Sequence, residues 1–135
     1  MKTRRILFQL LVLLGCMGAK AQTNPYNIYP VPHSTEVTDQ TASVSDTICI
    51  IAEDAIDQYT LDRATQVLEE HGKTPVFATE PSERNTLLRL GVQESLTSPN
   101  RYDRHNVSIQ RLEGSELAEI IIVGENTDAT FYGLA

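Results

Sequence analysis

Side chains capable of metal or acid–base chemistry are present in the sequence, but they are not spaced for it. The three histidines are far apart and lack the i,i+4 spacing of a helical zinc pair: His33, His71 and His105. Two acidic pairs, Asp54/Asp57 and Glu69/Glu70, fall at the ends of a predicted helix, where acids are expected for dipole or solvation reasons. We therefore predict no catalytic residue, no metal ligand and no cofactor-binding residue.

Nucleophile and phosphate-binding motifs are equally incomplete. The serines at positions 95, 98 and 108 lack the flanking glycines of a nucleophile elbow. Val123-Gly124-Glu125-Asn126 lies between a predicted strand and a predicted helix, yet one glycine does not make a phosphate-binding loop. Cys49 lies inside an apolar, β-branched run and is predicted to be a small buried hydrophobe rather than a nucleophile.

Charge and composition exclude several classes of partner. The chain has 135 residues and a net charge of −7, and its first 21 residues carry basic but no acidic side chains, so their removal leaves a still more acidic protein. Such a surface repels phosphate backbones and anionic lipid, so we expect no nucleic-acid partner and no polybasic membrane anchor. The absence of Trp and the aromatic content of 6% argue against a stacking platform for bases or sugars. The length allows one domain.

Residues 1–21 are predicted to be a signal peptide. A basic start precedes the apolar run 6–14, and Ala19-Lys20-Ala21 offers a small-residue cleavage site. The run is too short to span a bilayer, so no transmembrane helix is predicted. Leu13-Leu14-Gly15-Cys16 also resembles a lipobox, which makes a lipid anchor at Cys16 the alternative to cleavage after Ala21. Under either interpretation the protein is exported to the periplasm, the cell surface or the medium.

The first half of the mature chain predicts a strand-helix-strand unit. Residues 22–45 contain three prolines and are expected to be extended, after which the apolar run 47–52 predicts a strand buried on both faces. A helix is expected from a cap at Asp54 to a stop at Gly72. Short strands follow at 75–78 and 87–92. This order favours a parallel, right-handed crossover.

The second half predicts a hairpin and the start of a helix. Residues 106–112 and 118–123 form the hairpin strands, and Glu113-Gly114-Ser115-Glu116 forms its tip. A terminal helix is expected after a cap at Asn126 or Asp128. Residues 46–135 are thus predicted to be a small mixed β-sheet, of α+β or α/β class, with helices packed on one face. The sequence ends within an apolar helix, so we expect a fragment of a larger protein.

Two segments resemble a known module. Tyr29-Pro30-Val31-Pro32 provides a Pro-x-Pro opener. The more specific segment is the apolar strand 120–123 followed by Gly124-Glu125-Asn126, a short polar step, a small residue and Phe131-Tyr132-Gly133-Leu134. This pattern resembles the small α/β domain that precedes the catalytic barrel in bacterial β-N-acetylhexosaminidases of glycoside hydrolase families 20 and 84. The likeness covers about residues 28–135; Ala129 departs from it, because the family more often has Gly there.

The resemblance implies a scaffolding role. In those enzymes the terminal helix continues into a TIM-like barrel, and two barrel carboxylates support attack by the substrate's own 2-acetamido oxygen. Neither carboxylate corresponds to a residue here, so this chain is expected to be inactive alone. Phe131, Tyr132 and Leu134 would pack against the downstream barrel, and the glycan substrate would be bound by the parent enzyme. The alternative is a free-standing, secreted or lipid-anchored module that binds a glycan or a protein.

Overall fold

The part of the chain that the structure describes contains five strands and two helices. The computed structural model describes residues 34–94 and 104–135. The elements in chain order are β1 (Thr47–Ala52), α1 (Gln58–Glu70), β2 (Thr74–Phe77), β3 (Thr86–Val92), β4 (His105–Arg111), β5 (Ala118–Gly124) and α2 (Thr127–Gly133). Every predicted strand is present, with ends within one residue of those expected from the sequence.

The strands form one mixed sheet in the order β2-β1-β3-β5-β4. β1 pairs in parallel with β2 and β3, and β3 pairs in parallel with β5. β4 is antiparallel to β5, which confirms the predicted hairpin, and the β1-α1-β2 unit is the predicted parallel crossover. The mixed sheet with helices confirms the predicted fold class.

Both helices lie on one face of the sheet. Alternate residues of β1, β3 and β5 point to that face and form a core with α1, α2 and the turn before α1. The buried members of this core are Ile48, Ile50, Ile56, Ala64, Leu88, Leu90, Ile122 and Leu134. On the opposite face of β1 the Cys49 thiol is also buried, which confirms that this cysteine is a packing residue.

The structure corrects the predicted start of α1. The helix begins at Gln58, and its cap is Asp57 rather than Asp54, because the Asp57 carboxylate accepts a 2.9 Å hydrogen bond from the Thr60 backbone N–H. The intervening residues form a turn in which the Ile56 N–H bonds to the Glu53 carbonyl. That turn places Ile56 in the core. Gly72 has a φ of +69° and ends the helix as predicted.

Several predictions concern residues outside the described part of the chain. The signal peptide, the lipobox and the Pro-x-Pro opener all lie before residue 34. Residues 34–45 contain no helix or strand and make one isolated bridge, between Ser43 and Leu117. Residues 36–135 form one compact unit. Neither helix among the described residues has the length and hydropathy needed to cross a membrane.

The Asp57 cap gives a pH-dependent prediction. The Thr60 N–H donates to the Asp57 carboxylate and lowers its pKa, so the stabilisation is present above the ordinary Asp pKa and is lost as pH falls through the folded-state value. We expect Asp57→Ala to lower the free energy of unfolding by about 1 kcal/mol at pH 7. The deficit should shrink below about pH 4. Denaturant unfolding of the parent and of Asp57→Ala, at pH 7 and below about pH 4, measures this deficit.

Asp54→Ala is the matched control, since this neighbouring acid is exposed and does not cap the helix. It should leave stability at pH 7 within about 0.5 kcal/mol of the parent. An equal loss in the two variants would contradict the assignment of the cap.

Candidate interaction surface

The strand-to-helix junction at the end of the chain is built around a glycine. A Cβ on Gly124 would collide with the backbone N of Thr130, and it would lie 2.7 Å from the carbonyl oxygen of Asn126. Only glycine therefore lets the first turn of α2 come this close to the end of β5. The glycine that resembled part of a phosphate-binding loop serves instead to join a strand to a helix.

Asn126 is the cap of α2, which decides between the two predicted candidates. Its side-chain oxygen accepts a 2.9 Å hydrogen bond from the Ala129 N–H, and its backbone is extended. Ala129 itself is fully buried, so the position requires a small residue and accepts alanine where the resembling family more often has glycine.

The buried hydroxyl of Thr130 ties α2 to two strands. It accepts a 3.0 Å hydrogen bond from the Gly124 N–H and donates a 2.8 Å bond to the Gly91 carbonyl at the end of β3. The residue is fully buried. These bonds satisfy backbone groups at the ends of adjacent strands and fix where the following residues of α2 lie.

Three aromatic side chains form a surface across the two helices, which we call the aromatic surface: Tyr59 of α1 with Phe131 and Tyr132 of α2. The Tyr59 and Phe131 rings stack with centroids 4.9 Å apart, and Tyr132 meets Phe131 edge to face at 5.7 Å. Tyr59 is 69% exposed, Tyr132 is 49% exposed and Phe131 is half-buried. The predicted contact residues Phe131 and Tyr132 thus lie together and face solvent.

Leu134, the third predicted contact residue, lies elsewhere. Its side chain is only 8% exposed and packs in the domain's own core. Residues 130 and 134 are one helical turn apart and both point inward, whereas residues 131 and 132 point outward. Leu134 therefore contributes to this domain and leaves little surface for a partner.

Apolar surface continues beside α2 on the helix side of β4. Val107 and Ile109 are 50% and 67% exposed, and they pair with Ile122 and Ile120 of β5. The last turn of α2 lies against Ile122, but Ile120 remains only partly buried. A seven-residue helix is about 10 Å long and covers less than half of a seven-residue strand. The helix layer is thus incomplete at β4.

A polar cluster on the opposite face of the sheet was not found from the sequence. Glu119 is nearly buried and accepts hydrogen bonds from Arg89 (2.7 Å) and Gln110 (2.6 Å). The bond from Arg89, followed by that from Gln110, holds the pKa of Glu119 below its ordinary value. The cluster thus links side chains of three neighbouring strands, β3, β5 and β4. Its only sequence signal is one acid in an apolar strand.

The remaining candidate side chains are dispersed. His71 ends α1 and contacts the Val67 carbonyl, His105 begins β4, and Ser108 lies on exposed β4. His33, Ser95 and Ser98 fall outside the described residues. Within 34–94 and 104–135, no three acidic, histidine or cysteine side chains are grouped closely enough to hold a metal ion. The feature that these residues offer for function is the aromatic surface.

The Thr130 junction predicts a cost for removing its hydroxyl. Thr130→Val keeps the shape but leaves the buried Gly124 N–H without its acceptor, so we expect a loss of about 2 kcal/mol in the free energy of unfolding. Thr130→Ser keeps the hydroxyl and should cost less. Denaturant unfolding of both variants measures the difference, and a serine variant less stable than the valine variant would count against the hydrogen-bonding role.

Tyr132 and Leu134 should differ sharply in their effects on stability. We expect Leu134→Ala to cost about 3 kcal/mol, because it removes a core side chain. Tyr132→Ser should cost less than about 1 kcal/mol, because half of that side chain already faces solvent. Thermal and denaturant unfolding compare the two; equal losses would mean that Tyr132 supports this domain rather than a partner.

Comparison with known proteins finds a likeness among solved structures. No protein-family model matches the chain, and no curated protein matches it. Among solved structures, it is similar to CpGH84D, a glycoside hydrolase family 84 protein, with a TM-score of 0.66 and 26% sequence identity. The match covers 83% of this chain and 20% of that chain, so the chain spans about a fifth of its structural neighbour. The described fold therefore fits a domain of the glycoside hydrolase family 84 type.

Proposed function

We propose that this chain is the non-catalytic N-terminal domain of an exported β-N-acetylglucosaminidase that acts on terminal N-acetylhexosamines of glycans. The observation that carries the proposal is the likeness to CpGH84D, which extends over most of this chain but only a fifth of the neighbour. A glycoside hydrolase-related domain of this size fits a scaffold beside a much larger catalytic body. Export follows from the predicted leader, with cleavage after Ala21 or lipidation at Cys16.

The aromatic surface is the contact that such a scaffold would use. Tyr59 and Tyr132 expose much of their area, and neither is needed to complete the core of this domain. Burying a large apolar or aromatic side chain contributes roughly 1.5–3 kcal/mol. A catalytic barrel packed over Phe131 and Tyr132 would therefore be held by several kcal/mol, enough to fix its orientation.

In the proposed parent enzyme α2 would continue into the barrel. The helix starts beside Gly91 at the ends of β3 and β5, and its last turn lies against Ile122 and against His105, the first residue of β4. The resemblance implies this continuation, since the terminal helix of those enzymes leads into the barrel.

Catalysis is assigned to the barrel rather than to this domain. Glu119, the one nearly buried acid among the described residues, is paired with Arg89 and has a lowered pKa, which is unsuitable for a general acid. In the mechanism that the resemblance implies, the substrate's acetamido oxygen attacks the anomeric carbon while two barrel carboxylates assist. This domain would keep the barrel folded and in place.

The decisive experiment starts from the gene. The reading frame should continue beyond Ala135 into a barrel with an adjacent pair of acidic residues. Its complete product should hydrolyse a chromogenic β-N-acetylglucosaminide, whereas the 135-residue chain alone should show no turnover. A stop codon directly after Ala135 would overturn the proposal, and saturable glycan binding by the short chain would then favour the binding-module alternative.

A surface variant tests the predicted contact in the complete product. Tyr132→Lys places a charge in the proposed interface and should lower the melting temperature of the catalytic domain or separate its unfolding from that of this domain. Val37→Lys, at another exposed apolar position, is the matched control and should leave the transition unchanged. Identical melting of both variants and the parent would exclude the aromatic surface as the contact.

A further inference from the structure

The two edges of the sheet differ in how well they are protected. At one edge, β2 has four residues and contains Pro75, which removes a backbone donor. At the other edge, β4 has seven residues, pairs one to one with β5 without a bulge, and contains no proline, lysine or acid. Its residues 106–111 are all exposed. Long, regular edges of this kind are templates for pairing with another strand.

The outward backbone groups of β4 can be identified from its pairing. The Leu112 N–H bonds to the Leu117 carbonyl, and the Arg104 carbonyl accepts from the Glu125 N–H. Hydrogen-bonded and non-hydrogen-bonded positions alternate in an antiparallel pair. The even-numbered residues of β4 therefore bond to β5, and the odd-numbered residues 105–111 direct their N–H and C=O groups away from it. In the described part of the chain, no strand pairs with this outer edge.

The sequence of β4 is a chemical palindrome about its central residue. His105-Asn106-Val107-Ser108-Ile109-Gln110-Arg111 reads basic, amide, β-branched, hydroxyl, β-branched, amide, basic in either direction. An antiparallel pair of two such strands centred on Ser108 would bring like-shaped groups together. Val107 of each copy would face Ile109 of the other, and Asn106 of each copy would face Gln110 of the other.

We propose that β4 pairs with β4 of a second copy of this chain, antiparallel about a twofold axis at Ser108. In this register the outward N–H and C=O groups of Val107 bond to those of Ile109 in the second copy, and the reverse pair follows by symmetry. The two Val–Ile contacts are of the β-branched kind that stabilises cross-strand pairs. The two amide pairs can hydrogen-bond on the opposite face.

The charges of β4 also bear on its pairing with a second copy. The protein is acidic overall, yet β4 holds none of its acids, so the paired strands bring no carboxylates together. The register places Arg104 of each copy opposite Leu112 of the other, beside the acidic turn that contains Glu113 and Glu116. Arg111 is already paired with Glu116 at 2.9 Å, which moderates its charge where it faces His105 of the second copy.

The dimer would join two five-stranded sheets into one continuous sheet. Because the axis is perpendicular to the sheet, the helices of both copies lie on the same side. The exposed side chains of Val107 and Ile109 would then form one apolar strip across the junction, between the two α2 helices. This arrangement uses a different surface from the aromatic surface, so it is independent of the function proposed above.

Disulfide trapping in the full chain tests the register directly. Ser108 lies on the axis in a non-hydrogen-bonded pair, where Cα atoms are about 4.5 Å apart and a disulfide can form. Asn106 would be about 14 Å from its symmetry mate along the strand, beyond disulfide reach. Under mild oxidation Ser108→Cys should cross-link at least about tenfold faster than Asn106→Cys. The unsubstituted chain, which carries Cys16 and the buried Cys49, supplies the background rate.

Sedimentation velocity over a concentration series tests the association itself. The parent chain should form dimers, and Ile109→Lys should raise the dissociation constant at least about tenfold by placing a charge on the paired edge. Val76→Lys, at an exposed position of the opposite edge strand β2, should leave it unchanged. A parent that stays monomeric at all concentrations, or equal cross-linking rates for the two cysteine variants, would overturn the proposal.

Discussion

The buried hydroxyl of Thr130 is the interaction on which the useful surface of this domain depends. It joins the ends of β3 and β5 to the first turn of α2, through Gly91 and Gly124. Because the Gly124 position leaves no room for a Cβ, the helix has one place to start and one direction to follow. The positions of Phe131 and Tyr132 are consequences of that junction. A small change there would move Phe131 and Tyr132 together, relative to Tyr59 of α1.

Periodicity and turn chemistry were enough to predict the strands, the crossover and the hairpin, because the strands of this domain carry strong local signals. The apolar run of β1 and the Glu-Gly-Ser-Glu tip of the β4–β5 hairpin each specify their element without tertiary information. The cap of α1 could not be chosen in this way. Asp54 and Asp57 are equally good caps locally, and the choice is made by Ile56, which must reach the core before the helix begins.

The predicted contact residues also show what local sequence cannot decide without the tertiary structure. In the sequence, Phe131, Tyr132 and Leu134 form one apolar group, and all three were predicted to face a partner. Helical geometry divides them, since Leu134 follows Thr130 by one turn and shares its inward direction, while Phe131 and Tyr132 do not. Glu119 was missed for a related reason: its partners Arg89 and Gln110 come from two other strands, and only the sheet order brings them together.

The distribution of apolar surface indicates where the function of this domain resides. Tyr59, Tyr132 and Ile109 leave much of their area in water, and covering that area by another body would contribute further free energy. Two of the described acids have structural roles, since Glu119 is paired with Arg89 and Asp57 caps a helix. The exposed aromatic side chains are therefore the basis of the scaffolding role proposed above.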